Sequence, residues 1–491
     1  MNVNEHSTKN RPNLRLLSNE AIERIHQSSI RLLVDVGVTI ESREALNILR
    51  EGGADIDEVK RNAKIPPSLV EEALRKTPHR LTVYSRDKRH DLNLAENNVY
   101  FDPGSAAISL LDYSQASPRP PTLSDVKDFA VVVDSLKNIH AQSTALVPMD
   151  MPETLRDRIR LYVVLKYSTK PVVTGAFTVD GISDMKRMLD IVSDSSSTKI
   201  RPIAIFDVCP SPPLKWSYLA AKNLIDCAEA GLPVELVSMP QVSATAPATL
   251  AGCLVQHNAE VLSGIVIAQL AGPGTPIIYG GSPALFDPRY GTSVMGSPEV
   301  LLLSCGYVDI AKHYGLPSHA YLGMSDAKVI DYQASFETTL GALIGILKGV
   351  NIVSGAGMIE FESCQSLEKL VLDDEICGYV YRIATGIDVT EETLANQIFQ
   401  ESVAEGHFLS QKHTIRWLRR EHYMPSELVD RRDRSMWRAL GGLDALKRAR
   451  TRVEQILSDH QPEPLQPDIE KELTRFAVSI CRSHGAPRLT L

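Results

Sequence analysis

The stretch Gly323-Met324-Ser325-Asp326-Ala327-Lys328-Val329-Ile330-Asp331-Tyr332-Gln333-Ala334-Ser335-Phe336-Glu337 gathers carboxylates and an amide directly after an apolar run that ends in Tyr321-Leu322. A helix beginning near Asp331 sets Gln333 and Glu337 one turn apart on one face. Asp326, Gln333 and Glu337 are therefore the candidate catalytic groups, while Asp331 serves either the site or the helix as its cap. The same passage from apolar to polar residues recurs along the chain. Residues 203–206 end at Asp207, 234–239 at Gln241 and 277–279 at Gly280-Gly281, and 352–353 run on towards Glu360. Apolar strands with polar or glycine-rich exits are the pattern of a (β/α)8 barrel at its catalytic face.

Eight strands are expected, near 99–101, 144–147, 172–175, 203–206, 234–239, 277–279, 319–322 and 350–353, alternating with helical segments. Pro171, Pro202, Pro233, Pro276 and Pro317 stand just before five of them, where a missing amide proton is tolerated. Before the strands, residues 18–36, 42–51 and 66–74 read as amphipathic helices, and beyond Thr390 the chain is helical again, with a break at Gly406-His407-Phe408. The expected organisation is α/β. It comprises an N-terminal helical layer over 1–97, a (β/α)8 TIM barrel over 98–390 and a C-terminal helical extension over 391–491.

Several function classes lose support on composition. The chain has 491 residues and a net charge of −8, which supplies no basic field for nucleic acid or an anionic membrane. No apolar run has the length of a membrane span, and residues 1–6 lack the basic and apolar regions of a signal peptide, so a cytoplasmic protein is expected. The seven cysteines are scattered with no Cys-x-x-Cys pair, which favours buried thiols over disulfides or structural zinc. His407, Gln411 and His413 lie near one helix start, but no His-Glu-x-x-His pattern or carboxylate pair completes a metal site, and no bound metal is expected. No Gly-x-Ser-x-Gly elbow or Gly-x-Gly-x-x-Gly turn is present. Thr245 with Pro247 reads as the start of a long helix running to about Ala271, and Gly280-Gly281 as a close approach of backbone to ligand.

Leu123-Ser124-Asp125, Asp134-Ser135-Leu136-Lys137-Asn138-Ile139, Pro247-Ala248-Thr249-Leu250-Ala251-Gly252, Asn258-Ala259-Glu260-Val261-Leu262, Gly323-Met324-Ser325-Asp326-Ala327-Lys328, Asp331-Tyr332-Gln333 and Phe408-Leu409-Ser410-Gln411-Lys412-His413-Thr414 together resemble the trimethylamine methyltransferase (MttB) family. The resemblance runs from about Leu17 to Arg434. It implies a barrel enzyme that moves a methyl group from a methylamine to the Co(I) centre of a separate corrinoid protein. The archaeal members carry pyrrolysine at a position that falls within residues 326–333, where this sequence has only ordinary residues. That departure turns the expectation to glycine betaine, proline betaine or carnitine-type demethylases.

A methyl on a quaternary nitrogen can be displaced in line, releasing a neutral tertiary amine without an acid, so the enzyme's task reduces to positioning and to recognising a diffuse cation. Aromatic faces suit such a cation. Phe206, Tyr279, Tyr321 and Phe361, at or just after predicted strand ends, join Asp207, Gln241 and Glu360 as candidate substrate-binding residues. Arg289, Lys328 and His407 are the groups open to a substrate carboxylate. Two other readings compete: a barrel lyase or aldolase using Lys328 as a Schiff base, and a quaternary-amine sensor that keeps the pocket without the transfer. Long helices outside the barrel leave surface for a homo-oligomer.

Overall fold

The computed structural model describes residues 12–104, 106–193 and 201–486. Residues 1–6, read above for a leader, lie outside the described residues. The fold is mixed α/β. Its centre is a set of eight short parallel strands, β1 (Tyr100–Asp102), β2 (Gln142–Ser143), β3 (Val172–Thr174), β4 (Ala204–Val208), β5 (Val234–Ser238), β6 (Ile277–Gly281), β7 (His319–Tyr321) and β8 (Ile352–Ser354). Each is followed by a helix: α1 (Leu123–Ser135), α2 (Arg156–Tyr167), α3 (Gly181–Val192), α4 (Tyr218–Glu229), α5 (Leu250–Ala271), α6 (Pro298–His313), α7 (Tyr332–Lys348) and α8 (Leu367–Ala384).

Five strands form one parallel sheet in the order β6-β5-β4-β3-β2, and three form another in the order β7-β8-β1. Hydrogen bonds also run from β6 towards β7, where Tyr279 N donates to Pro317 O at 2.8 Å, and from the approach to β2 towards β1, where His140 N donates to Phe101 O at 2.8 Å. The prolines before the strands act as expected in one respect and add another. They lack a donor, yet the carbonyls of Pro171, Pro233, Pro276 and Pro317 each accept an N–H from the neighbouring strand, at 2.8 to 3.0 Å.

Side chains alternate across each strand. Phe206, Val234, Ile277 and Tyr279 belong to the main core under the helices. Val173, Ile205, Ile278 and Ile352 turn the other way, into a separate cluster with Leu81, Val83, Leu92 and Leu94. Those three leucines and one valine belong to a hairpin, Leu81–Val83 paired with Leu92–Leu94, which covers the helix-averted face of the strands at one end. The sequence reading assigned the N-terminal layer to helices alone. It contains the three expected helices, Asn19–Asp35, Arg43–Glu51 and Pro67–Lys76, but also this hairpin and the strands Val38–Ile40, Asp55–Asp57 and Asn62–Lys64.

The helix α5 is long and apolar enough to cross a bilayer on composition, but most of it is buried inside the fold. It is sandwiched between the N-terminal layer, where Ser29 Oγ donates to Val255 O at 2.9 Å, and the strands. Thr245 and Pro247 do not begin it. The Thr245 hydroxyl instead accepts from Gln241 N at 2.9 Å within a turn, and the helix starts after Thr249. Helices Ala445–Asp459 and Pro467–Ser483 pack on the outside through Arg450 to Glu368 at 3.1 Å and Lys166 to Glu470 at 2.8 Å.

Candidate active site

The register decides which side chains share the helix-averted face. Asp207 lies beside Glu235 and Glu235 beside Ile278, while His319, Ile352 and Tyr100 align, followed two residues later by Tyr321, Ser354 and Asp102. Towards the C-terminal ends of the strands this face is therefore polar and acidic, above the apolar layer that seats the hairpin.

Its groups form a chain. Glu235 Oε1 lies 2.9 Å from His319 Nδ1, and His319 Nε2 lies 2.9 Å from Ser354 Oγ, whose residue stands beside Asp102 in register. Asp102 also accepts the Gly104 N–H at 2.8 Å, and the Tyr321 ring meets His319 edge-on at 4.9 Å. Gly280 makes room for this pair, since a Cβ there would stand 3.0 Å from His319 Nδ1 and 3.2 Å from Glu235 Cγ. Gly281 likewise seats the His257 ring. These glycines accommodate protein side chains and not the ligand approach expected of them.

Burial governs the charge of the cluster. It pushes the Asp102, Asp207 and Glu235 carboxyls up and holds His319 down at about 4. One oxygen of Asp102, one of Asp207, both of Glu235, His319 Nδ1 and the Ser143 hydroxyl are buried with no hydrogen-bond partner among the described residues, the 2.9 Å contact of Glu235 with His319 being a close approach without hydrogen-bond alignment. Buried polar atoms without partners are rare, and these share one face. A cavity of about 270 Å³ opens beside them, bounded by Gly104, Thr144, Arg160, Gly175, Phe177 and Asp207.

The predicted catalytic loop is organised as a second network. Asp326 accepts the N–H groups of Met295 and Gly296 at 2.9 and 2.8 Å. Glu337 accepts from Ser325 Oγ at 2.5 Å, Asp326 N at 2.8 Å and Gln333 Nε2 at 2.9 Å. Asp331 caps α7. Asp326 is buried and its carboxyl is pushed up to about 6, whereas Gln333 is exposed. After β8, Glu360, Phe361 and Glu362 stand consecutively in the left-handed region, at φ of 54°, 57° and 65°, a conformation that costs of order 1 to 2 kcal/mol per L-residue. Glu360 N donates to Ala327 O at 2.9 Å, and Phe361 lies under the Lys328 ammonium at 3.9 Å. Glu362 accepts from Ser282 Oγ at 3.3 Å and burial pushes its carboxyl up to about 8. Asp326 adds to the upward shift of Glu362.

Of the predicted binding residues, Asp207 and Tyr321 share the acidic face. Phe206 and Tyr279 turn towards the helices, because they occupy the other parity of β4 and β6, and the Tyr279 hydroxyl donates to Asn258 on α5 at 2.9 Å. Gln241 is held by Ser293, and His407 is exposed on the C-terminal segment. Lys328 is exposed and donates to Asp326 O at 2.8 Å, so it is not the buried amine a Schiff base needs. Sequence reasoning looked at strand exits and so passed over Asp102, Glu235, His319 and Glu362. A charged residue inside an apolar strand, as in Pro233-Val234-Glu235-Leu236-Val237, was the signal available.

The profile of the trimethylamine methyltransferase (MTTB) family matches residues 2–483. The chain belongs to this family. A trimethylamine methyltransferase MttB of Desulfitobacterium hafniense (strain DSM 10664 / DCB-2) is 33% identical over 96% of this chain and 95% of its own length. A glycine betaine methyltransferase of Desulfitobacterium hafniense (strain Y51) is 32% identical over 95% and 97%. The crystal structure of the monomethylamine methyltransferase MtmB of Methanosarcina barkeri superposes with a TM-score of 0.53 at 11% identity, over 90% of this chain and 88% of that one, a likeness of fold. As a member of the trimethylamine methyltransferase family, the protein is an enzyme of methyl transfer.

Proposed function

We propose that the enzyme moves a methyl group from a betaine-like quaternary amine to the Co(I) of a partner corrinoid protein, on a closed (β/α)8 barrel formed by β1 to β8 with α1 to α8. The hydrogen bonds at both gaps between the two parallel sheets support closure. In this reading 98–390 is the catalytic unit, with 1–97 and 391–491 around it. A cytoplasmic setting fits a chain whose cysteines are all free.

The observation that carries the reading is the acidic face itself: buried Asp102 and Asp207 oxygens without partners beside an open cavity. Such a face favours a cationic ligand. The corrinoid belongs to the partner, and what this chain must offer it is an accessible cavity at the C-terminal ends of the strands, which the lining of Gly104, Gly175 and Phe177 supplies. Co(I), when presented there, supplies the nucleophile that accepts the methyl.

The residues of this chain then bind and orient. Asp207, whose carboxyl burial pushes up, faces the entering cation, and a positive charge there favours the carboxylate form. Glu235 and His319, 2.9 Å apart, fix each other's position on the same face. The electron pair of the breaking N–CH3 bond stays on nitrogen, so the amine departs neutral and none of these groups needs to protonate it. Positioning of this kind supplies much of a displacement's acceleration.

The C-terminal segment supports self-association. Val403, Leu409, Ile415 and Leu418 are exposed along it, and the helix Lys412–Glu421 buries no residue. Residues 388–405 carry only acidic charges and 412–420 only basic ones, a polarity that a second copy, turned about a two-fold axis, complements.

The test follows loss of the Co(I) absorption of the partner corrinoid protein under anaerobic conditions. Glycine betaine or a close analogue consumes it and trimethylamine does not. Equal rates with the two donors overturn the quaternary-amine reading.

A further inference from the structure

The helix α2 carries two buried arginines two residues apart, and they are treated differently. The guanidinium of Arg158 meets the carboxylates of Asp157, Asp180 and Asp184 at 3.3, 2.7 and 2.6 Å. Arg160, only 2% exposed, has no carboxylate in ion-pair range among the described residues. Its two terminal nitrogens donate to the carbonyls of Thr144 and Gly175 at 2.7 and 3.0 Å, and its Nε is buried with no partner among the described residues. Of the five N–H bonds a guanidinium owns, two are used and three stay uncommitted among the described residues.

An arginine keeps its charge under burial, and a buried charge is ordinarily paired. The acids whose fields reach Arg160 are not free to pair with it. Asp157 accepts from Arg158 N, Phe177 N and Thr178 Oγ1, and Asp207 is held towards its neutral form by burial. The Phe177 ring covers one face of the guanidinium at 4.1 Å, which fixes its plane. Its neighbours Gly175 and Asp207 line the same cavity of about 270 Å³. The cavity thus has a cation without an anion beside a carboxyl without a cation.

We propose that Arg160 is the carboxylate-reading residue of this cavity, so that its ligand is a compact zwitterion whose carboxylate meets the Arg160 fork while its ammonium lies towards Asp207. This rests on the cavity being the methyl-donor site. It replaces the three groups considered from sequence. Arg289 is paired with Asp287 at 2.6 Å, Lys328 is committed to Asp326 O, and His407 lies on the exposed C-terminal segment.

A purely structural Arg160 would be a staple between the ends of β2 and β3, and calorimetry on the wild-type enzyme separates the two roles without a variant. Glycine betaine and its methyl ester share the trimethylammonium group, and only the first carries the carboxylate. The expected result is at least about tenfold tighter binding of glycine betaine than of its ester or of tetramethylammonium, as a charge-assisted pair lost from a buried site implies. Arg160→Gln then weakens glycine betaine by about a hundredfold and changes tetramethylammonium by less than about threefold, with KM moving more than kcat. An ester that binds as tightly as the acid, or an Arg160→Gln variant that weakens all three ligands alike while still transferring methyl groups, overturns the assignment and leaves the proposed function standing. Binding of none of the three, with no methyl transfer from any of them, overturns both.

Discussion

Glu362 is the titrating group whose environment is most open to a direct test. It stands third in a left-handed run, and its carboxyl, pushed up to about 8 by burial with Asp326 adding to the shift, is protonated in the fold at pH 7 and ionised in the unfolded chain. A raised carboxyl pKa makes the fold bind the extra proton, so stability falls as pH rises from the ordinary glutamate range near 4.5 to about 8 and is level above it. Glutamine at 362 keeps a neutral side chain at every pH. Thermal unfolding of Glu362→Gln against wild type should give a difference in Tm that grows in favour of the variant between pH 5 and pH 8, with a limiting gain of order 2 to 4 kcal/mol. A pH-independent difference would mean that the carboxyl is solvated and that the left-handed turn serves no buried acid. His319, held at about 4, brings a loss of stability on the acid side, as the unfolded imidazole gains its proton first.

The loop after β7 is the element on which sequence and structure meet most closely. Asp326, Gln333 and Glu337 are drawn together as their spacing implies, but their hydrogen bonds run to Met295, Gly296, Ser325 and one another, which makes the loop a clasp on the turn before α6. Removing the Asp326 carboxylate leaves two N–H groups without an acceptor, a cost of about 1 to 3 kcal/mol. Asp326→Ala should therefore lower both Tm and the rate of methyl transfer, with faster hydrogen exchange at the Met295 and Gly296 amides, and Asp326→Asn should recover part of each. An unchanged Tm with a collapsed rate would instead make Asp326 a group that touches substrate. The parallel strands were legible because prolines and apolar runs punctuate them, and each lies within a few residues of its expected place. The hairpin at 81–94 was not, since three-residue strands are too short to carry a period. Asp102, Glu235 and His319 escaped for a related reason. Each sits within its strand and not at an exit, where only the register can reveal that they share a face. Thr245 and Pro247 misled because a hydroxyl that closes a turn and one that caps a helix carry the same local signature.

At the scale of the whole molecule, the C-terminal half-wrap divides into two parts of opposite character. Helices Ala445–Asp459 and Pro467–Ser483 bury Val453, Ile456, Leu473 and Ile480 against the outside of the fold. The segment before them does the reverse, exposing Leu409 at 80% and Val403 at 71% while its charges sort by sign, with Arg416 already paired to Glu392. A ten-residue helix that buries nothing gains little from its own sequence, and the self-association proposed above would give it further contacts. If a second copy provides them, purified protein should run as a dimer or larger assembly in light scattering at micromolar concentration. Leu409→Glu with Ile415→Glu should shift it towards the monomer, and elevated salt should weaken it by screening the acidic and basic halves. Methyl transfer by the dissociated enzyme should persist, because the acidic face and cavity are built from a single chain. A wild-type protein that is monomeric at these concentrations would leave this surface to a different occupant, and the corrinoid protein would then be the partner to titrate against it.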